Sequence, residues 1–116
     1  MQDFRKLLKV KEEYGILGFR QLKRLKVGNY LLSIQASEGH YCVPRKSLKD
    51  IFDYMAMEVA IFDNKGNWCN LEHDKFFDDW KDREEFLDLY DGMVGAYTPI
   101  KLLQSLYDYI ESRCDS

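Results

Sequence analysis

From Tyr30 onward the chain alternates: Leu32, Ile34 and Ala36 are apolar, and Ser33, Gln35 and Ser37 are polar. Side chains leave a strand on alternate faces, so this pattern predicts a half-buried strand and a sheet with one face turned to a core. Glu38-Gly39 reads as a turn, and Tyr41-Cys42-Val43 as the returning strand of a hairpin closed by Pro44. Met57 to Phe62 is a second β-forming run. It is followed by Asn64-Lys65-Gly66-Asn67 and Trp68-Cys69, the arrangement of a second hairpin.

Helical spacing predominates on either side. Asp3 to Tyr14 places Phe4, Leu7, Leu8, Val10 and Tyr14 near one face, with Gly15 and Gly18 beyond it. Phe19 to Val27 reads either as a helix or, through Leu25-Lys26-Val27 before Gly28-Asn29, as a strand entering a turn. Ser47 is placed to cap a helix over Leu48, Ile51, Phe52 and Met55. Asp74 to Tyr90 reads as helical with Phe76, Phe77, Trp80, Leu87 and Tyr90 on one side, either continuous or broken near Asp82. Thr98-Pro99 is a cap and first-turn proline for a last helix striped by Ile100, Leu103, Leu106, Tyr107 and Ile110. The expected fold is α+β, a small antiparallel sheet of two hairpins packed with three to four helices. One domain spans 1–116, as a helical N-terminal extension (1–28), a β-rich part (29–72) and a helical acidic part (73–116).

At 116 residues, 46% of them hydrophobic and 15% aromatic, the chain holds one good core and little more. Its longest uncharged run, Val27 to Ser37, is far short of a membrane span. The start of the chain lacks the apolar core of a signal peptide. Three cysteines argue against a closed disulfide framework. These features together lead us to expect a cytoplasmic protein without a membrane partner.

The net charge of -3 conceals a division. Residues 1–50 carry 11 Lys/Arg against 5 Asp/Glu, and residues 51–116 carry 6 against 15. On a continuous helix Asp74, Asp78, Asp82 and Glu85 would form a column with neighbours about 6 Å apart, a repeat like that of nucleic-acid phosphates. Asp79 widens it, and Trp80 and Tyr90 are candidate aromatic anchors. Such a column would steer toward a basic partner surface; a solvated helix face is the plainer alternative. In the first half Arg20, Lys23, Arg24 and Lys26 follow Arg5, Lys6, Lys9 and Lys11. No aromatic stacking motif accompanies them in sequence, and the acidic half disfavours direct nucleic-acid binding.

His40, Cys42, Cys69 and His73 are a chemically acceptable zinc set whose spacing matches no common finger. Buried cysteine acting as a small apolar residue is the competing explanation, and no cofactor is expected. His40 beside Cys42 suggests a nucleophile and base, but no third group orients them. Ser33, Gln35 and Ser37 share a strand face, with Tyr41 and Arg45 as neighbours across the turn.

The stretch Asn29 to Ser37, with His40 to Arg45 and Glu58 to Phe62, resembles small uncharacterised proteins of phages and mobile elements. That resemblance implies an anti-defence inhibitor of the anti-CRISPR kind. Combined with the acidic column, it leads to a non-enzymatic inhibitor that occludes the nucleic-acid-binding surface of a host protein, for instance a CRISPR effector. The alternative is a small regulatory nucleic-acid- or protein-binding module using the basic N-terminal segment, with or without zinc.

Overall fold

The computed structural model describes residues 2–12, 20–91 and 94–113. The predicted strand is present as β4 (Tyr30–Gln35), between β3 (Leu25–Val27) and the long β5 (Ala56–Asp63); β6 (Gly95–Pro99) completes an antiparallel sheet in the order β3-β4-β5-β6. A separate ribbon pairs β1 (Val10–Glu12) with β2 (Gln21–Leu22). Among the described residues two α-helices accompany the sheets, α1 (Arg83–Leu87) and α2 (Ile100–Arg113).

The expected two hairpins and three to four helices therefore need correction. The strand reading of Leu25-Lys26-Val27 holds: Val27 pairs with Tyr30 across Gly28-Asn29, and Gly28 takes the positive φ of 57° that such tight turns demand. Tyr41-Cys42-Val43 does not return along β4. β4 instead pairs along its whole length with β5, and Val43 makes one isolated bridge to Ala56. The second hairpin survives only as a single bridge, Phe62 to Trp68, around a turn in which Gly66 has a φ of 88°.

Among the described residues two expected helices are reduced to 3-10 turns and a third is broken. Phe4–Leu7 is one 3-10 turn capped by Asp3, and the chain then extends into β1. The end placed at Gly15 and Gly18 lies outside the described residues. Ile51–Asp53 is likewise one 3-10 turn, capped by Asp50 rather than Ser47. Asp74 to Tyr90 is broken into a 3-10 turn at Lys75–Phe77, a turn and the short α1. The last helix matches its apolar stripe, with Leu103, Leu106, Tyr107 and Ile110 buried. Thr98 does not cap it: Thr98 pairs with Met57 in the sheet, and its hydroxyl is buried without a hydrogen-bond partner.

The register sorts the sheet's two faces. Leu32 lies opposite Ile61 and Ile34 opposite Val59, and all four are fully buried. They join one core with α2 and with Phe77, Trp80, Phe86 and Tyr90. On the other face Lys26 lies beside Leu31, Leu31 beside Phe62, and Ser33 beside Ala60. Leu31, Ser33 and Ala60 are only half-buried, so this second face is only partly covered. Among the described residues no helix is long and apolar enough to cross a membrane.

Where β2 leaves the line of β3, a side chain replaces the backbone ladder. The Gln35 amide accepts a hydrogen bond from Leu22 N–H at 2.8 Å and donates to Leu22 C=O at 2.9 Å. Beside it the buried Arg20 guanidinium donates to Leu48 C=O (2.6 Å), Ala36 C=O (2.7 Å) and the Tyr54 hydroxyl (2.7 Å). Gln35→Leu would leave both polar backbone groups of Leu22 buried without partners. Each such loss costs about 1–3 kcal/mol. Chemical denaturation should show a destabilisation in that range or above. Hydrogen exchange should show the Leu22 amide losing protection well ahead of β4 and β5.

Candidate functional site

The residues of the expected acidic column occupy two kinds of place. Asp74 accepts hydrogen bonds from Phe76 N–H (3.0 Å) and the Tyr30 hydroxyl (2.8 Å), tying the segment to β4. Burial, reinforced by Asp74, pushes the Tyr30 phenol well above its ordinary pKa. Asp82 accepts a hydrogen bond from the Ser105 hydroxyl at 2.5 Å, and Ser105 in turn accepts from the Trp80 indole at 2.9 Å. The Tyr109 hydroxyl donates to Phe76 C=O at 2.5 Å. Asp74 and Asp82 thus fasten the segment to the core, whereas Asp78, Asp79 and Glu85 are exposed with Glu72, Glu84 and Asp88.

Trp80 and Tyr90 face inward, 4% and 5% exposed, and offer no ring to a partner. Phe77 and Tyr109 contact Trp80, Phe86 packs on both Trp80 and Tyr90, and Ile61 N–H donates to the Tyr90 hydroxyl. Burial pushes the Tyr90 phenol up to about 12. Beside the exposed carboxylates, a groove of about 640 Å³ runs between residues 79–82 and α2, its walls carrying both Asp79, Asp82 and Asp108 and Lys81, Lys101 and Arg113.

The four zinc candidates are not gathered together. Cys42 adjoins the start of β5, because Val43 bridges Ala56, whereas Cys69 N–H bonds to Ile61 C=O further along the strand. His40 is buried and His73 exposed. Among the described residues no group of three or more His, Cys, Asp or Glu side chains could hold a metal. Burial raises both thiols, Cys69 to about 11, so little reactive thiolate exists near neutral pH.

His40 and its neighbours build the 37–43 turn. The Ser37 hydroxyl lies 2.7 Å from His40 Nδ1 and accepts from Gly39 N–H at 3.0 Å, and the Cys42 thiol donates to Ser37 C=O at 3.3 Å. Ser37 is fully buried, so no substrate reaches that hydroxyl as the molecule stands.

One feature of this end lay beyond sequence reasoning. Between the pairs Met57–Thr98 and Val59–Gly95 the register slips, and this bulge places Ala96 and Tyr97 opposite Glu58. Tyr97 there adopts a φ of 51°, a left-handed conformation that costs a residue with a Cβ about 1 kcal/mol or more. Its N–H donates to Tyr41 C=O at 3.0 Å, and its ring packs on Tyr41 at 5.7 Å. The Arg45 guanidinium lies 4.9 Å from the Tyr41 ring, and Glu58 accepts from Tyr41 N–H at 3.1 Å. Both tyrosines remain nearly half exposed.

No protein-family model matches the chain, and no curated protein or solved structure matches it either.

Burial holds the His40 pKa below its ordinary 6.5, aided by Arg20 and Arg45 and opposed by Glu58. Between the folded and unfolded pKa values the unfolded chain binds more protons, so stability falls as pH drops below about 6.5. Urea unfolding between about pH 7 and 5 should show that fall, and His40→Gln should flatten it. Equal slopes in the two proteins would exclude His40 as its source.

Proposed function

We propose that this protein is a non-enzymatic binding protein that docks on a basic surface of a protein partner through the acidic segment 72–88. The supporting observation is the division of labour among its carboxylates. Asp74 and Asp82 bind the segment to Tyr30 and Ser105, while Glu72, Asp78, Asp79, Glu84, Glu85 and Asp88 stand exposed on that anchored base. Among the described residues of this segment only Glu84 has an ion-pair partner, Arg83 at 3.1 Å. A rigid, negatively charged surface attracts a cationic partner at long range and loses little conformational freedom on contact.

With the helix broken, the carboxylates do not follow a regular phosphate-like spacing, and the buried Trp80 and Tyr90 drop out as anchors. The reading keeps the charge and the partner class, a protein whose basic surface normally holds nucleic acid. Inhibition of such a partner, including in the phage setting that the sequence resemblance implies, would follow from occlusion.

The test is a fourfold variant, Asp78→Lys, Asp79→Lys, Glu85→Lys and Asp88→Lys. These positions are exposed, so each change should alter stability by about 0.5 kcal/mol or less. Affinity capture from lysate should retain a basic protein at low salt, and the retention should collapse both at high salt and in the variant. Retention of the same proteins by wild type and variant would exclude the acidic segment as the docking surface.

A further inference from the structure

We infer that the partly covered face of the four-stranded sheet binds short single-stranded nucleic acid, with Trp68, Tyr41 and Tyr97 as stacking rings and Arg24, Lys26 and Arg45 as phosphate contacts. The placement follows from the register. Lys26, Leu31 and Phe62 lie side by side across β3, β4 and β5, and Trp68 bridges Phe62 from the other side. All four residues therefore belong to one face.

The Trp68 ring lies 5.0 Å from that of Phe62, and the Arg24 guanidinium lies over Phe62 at 4.1 Å. Four residues along β5, or about 13 Å at ~3.3 Å per residue, Glu58 holds Tyr41 beside Tyr97 and Arg45. Among the described residues, the tyrosine and tryptophan rings classed as exposed are Tyr41, Tyr97 and Trp68, each nearly half exposed or more. All three border this face. Between them lie the smaller surfaces of Leu31, Ser33 and Ala60, over which a base could lie flat.

Aromatic rings interleaved with guanidinium and ammonium groups on an antiparallel sheet are the chemistry that unpaired bases and their phosphates require. Every base offers a π-face, and the phosphates need cations alongside. A folded duplex hides the base faces and would gain only the charge term.

The acidic segment does not veto this. It packs through Phe76 and Phe77 against Tyr30, whose side chain lies on the core side of β4. The sheet and core therefore stand between the two charge fields. Layers packed on a sheet lie about 10 Å away, comparable to the distance of about 8 Å over which physiological salt screens exposed charges.

The probe is a fluorescein-labelled oligothymidylate of about twelve nucleotides, followed by anisotropy at about 50 and 200 mM salt. An oligouridylate and a duplex of equal length serve for comparison. Wild-type protein should bind either single strand saturably, and more tightly than the duplex. Trp68→Ala and Tyr97→Gly should each weaken binding about tenfold, and Tyr97→Gly removes the ring while relieving the left-handed backbone. Arg24→Glu with Arg45→Glu should weaken binding and flatten its salt dependence. The fourfold acidic-segment reversal should leave the effects of Trp68→Ala and Tyr97→Gly in place. Circular dichroism verifies the fold of each variant. Three results would overturn the inference: no saturable binding at the lower salt, a duplex bound as tightly as the single strand, or unchanged affinity in folded Trp68→Ala, Tyr97→Gly and the double arginine variant. The first of these would leave the face to a protein.

Discussion

Where the backbone ladder stops, side chains from two elements carry the hydrogen bonding across. Leu22 would bring an unpaired N–H and C=O into a buried place, and the Gln35 amide satisfies both. Arg20, the residue before β2, does the same for the carbonyls of Ala36 and Leu48. Buried polar groups without partners are costly, so these contacts bind the ribbon to the sheet and the 36–55 connection to the ribbon. The Tyr54 hydroxyl closes the knot by accepting from Arg20 and from Leu48 N–H at 2.8 Å and donating to Lys46 C=O. Because that connection is held, Tyr41 and Arg45 come to lie at one end of the sheet's second face.

The charge division of the sequence acquires a spatial meaning from the same architecture. Arg24 and Lys26 reach the second face through β3 and its approach, whereas residues 72–88 are layered with α2 on the core side. The halves do not neutralise each other across many ion pairs. Among the described residues the salt bridges are Asp3–Arg5 and Arg83–Glu84, both between close sequence neighbours. The sheet with its hydrophobic core stands between Arg24 and Lys26 and the carboxylates of residues 72–88, so a net charge of -3 describes neither place.

How much of this was legible depends on the range of the interaction. The alternation from Leu31 to Gln35 and the stripe from Ile100 to Ile110 are local patterns, and both elements are present. Gly28-Asn29 carried its own turn chemistry. The helix read over Asp74 to Tyr90 failed for a physical reason visible in its residues. Asp74 caps only the 3-10 turn Lys75–Phe77, and Asp82 turns its carboxylate to the Ser105 hydroxyl and makes no side-chain cap bond to α1. The buried rings Phe77, Trp80, Phe86 and Tyr90 would also spread over about half of a straight helix's circumference at 100° per residue, so the chain bends to bury them. The contacts of the second face were beyond any local pattern. Arg24, Phe62 and Trp68 meet only after β3, β4 and β5 have paired, so the basic stretch looked devoid of aromatic company. The bulge and the positive φ at Tyr97 were likewise beyond any local pattern.

The separation of the two charge fields can be measured at Trp68. In a Trp80→Phe variant the remaining indole is the half-exposed one beside Phe62 and Arg24. Its fluorescence should be quenched by iodide more efficiently than by caesium at matched ionic strength, each compared with free N-acetyltryptophanamide, and Arg24→Glu should diminish the difference. Preferential quenching by caesium, or none by either ion, would contradict a basic, solvent-facing aromatic surface on this side of the sheet.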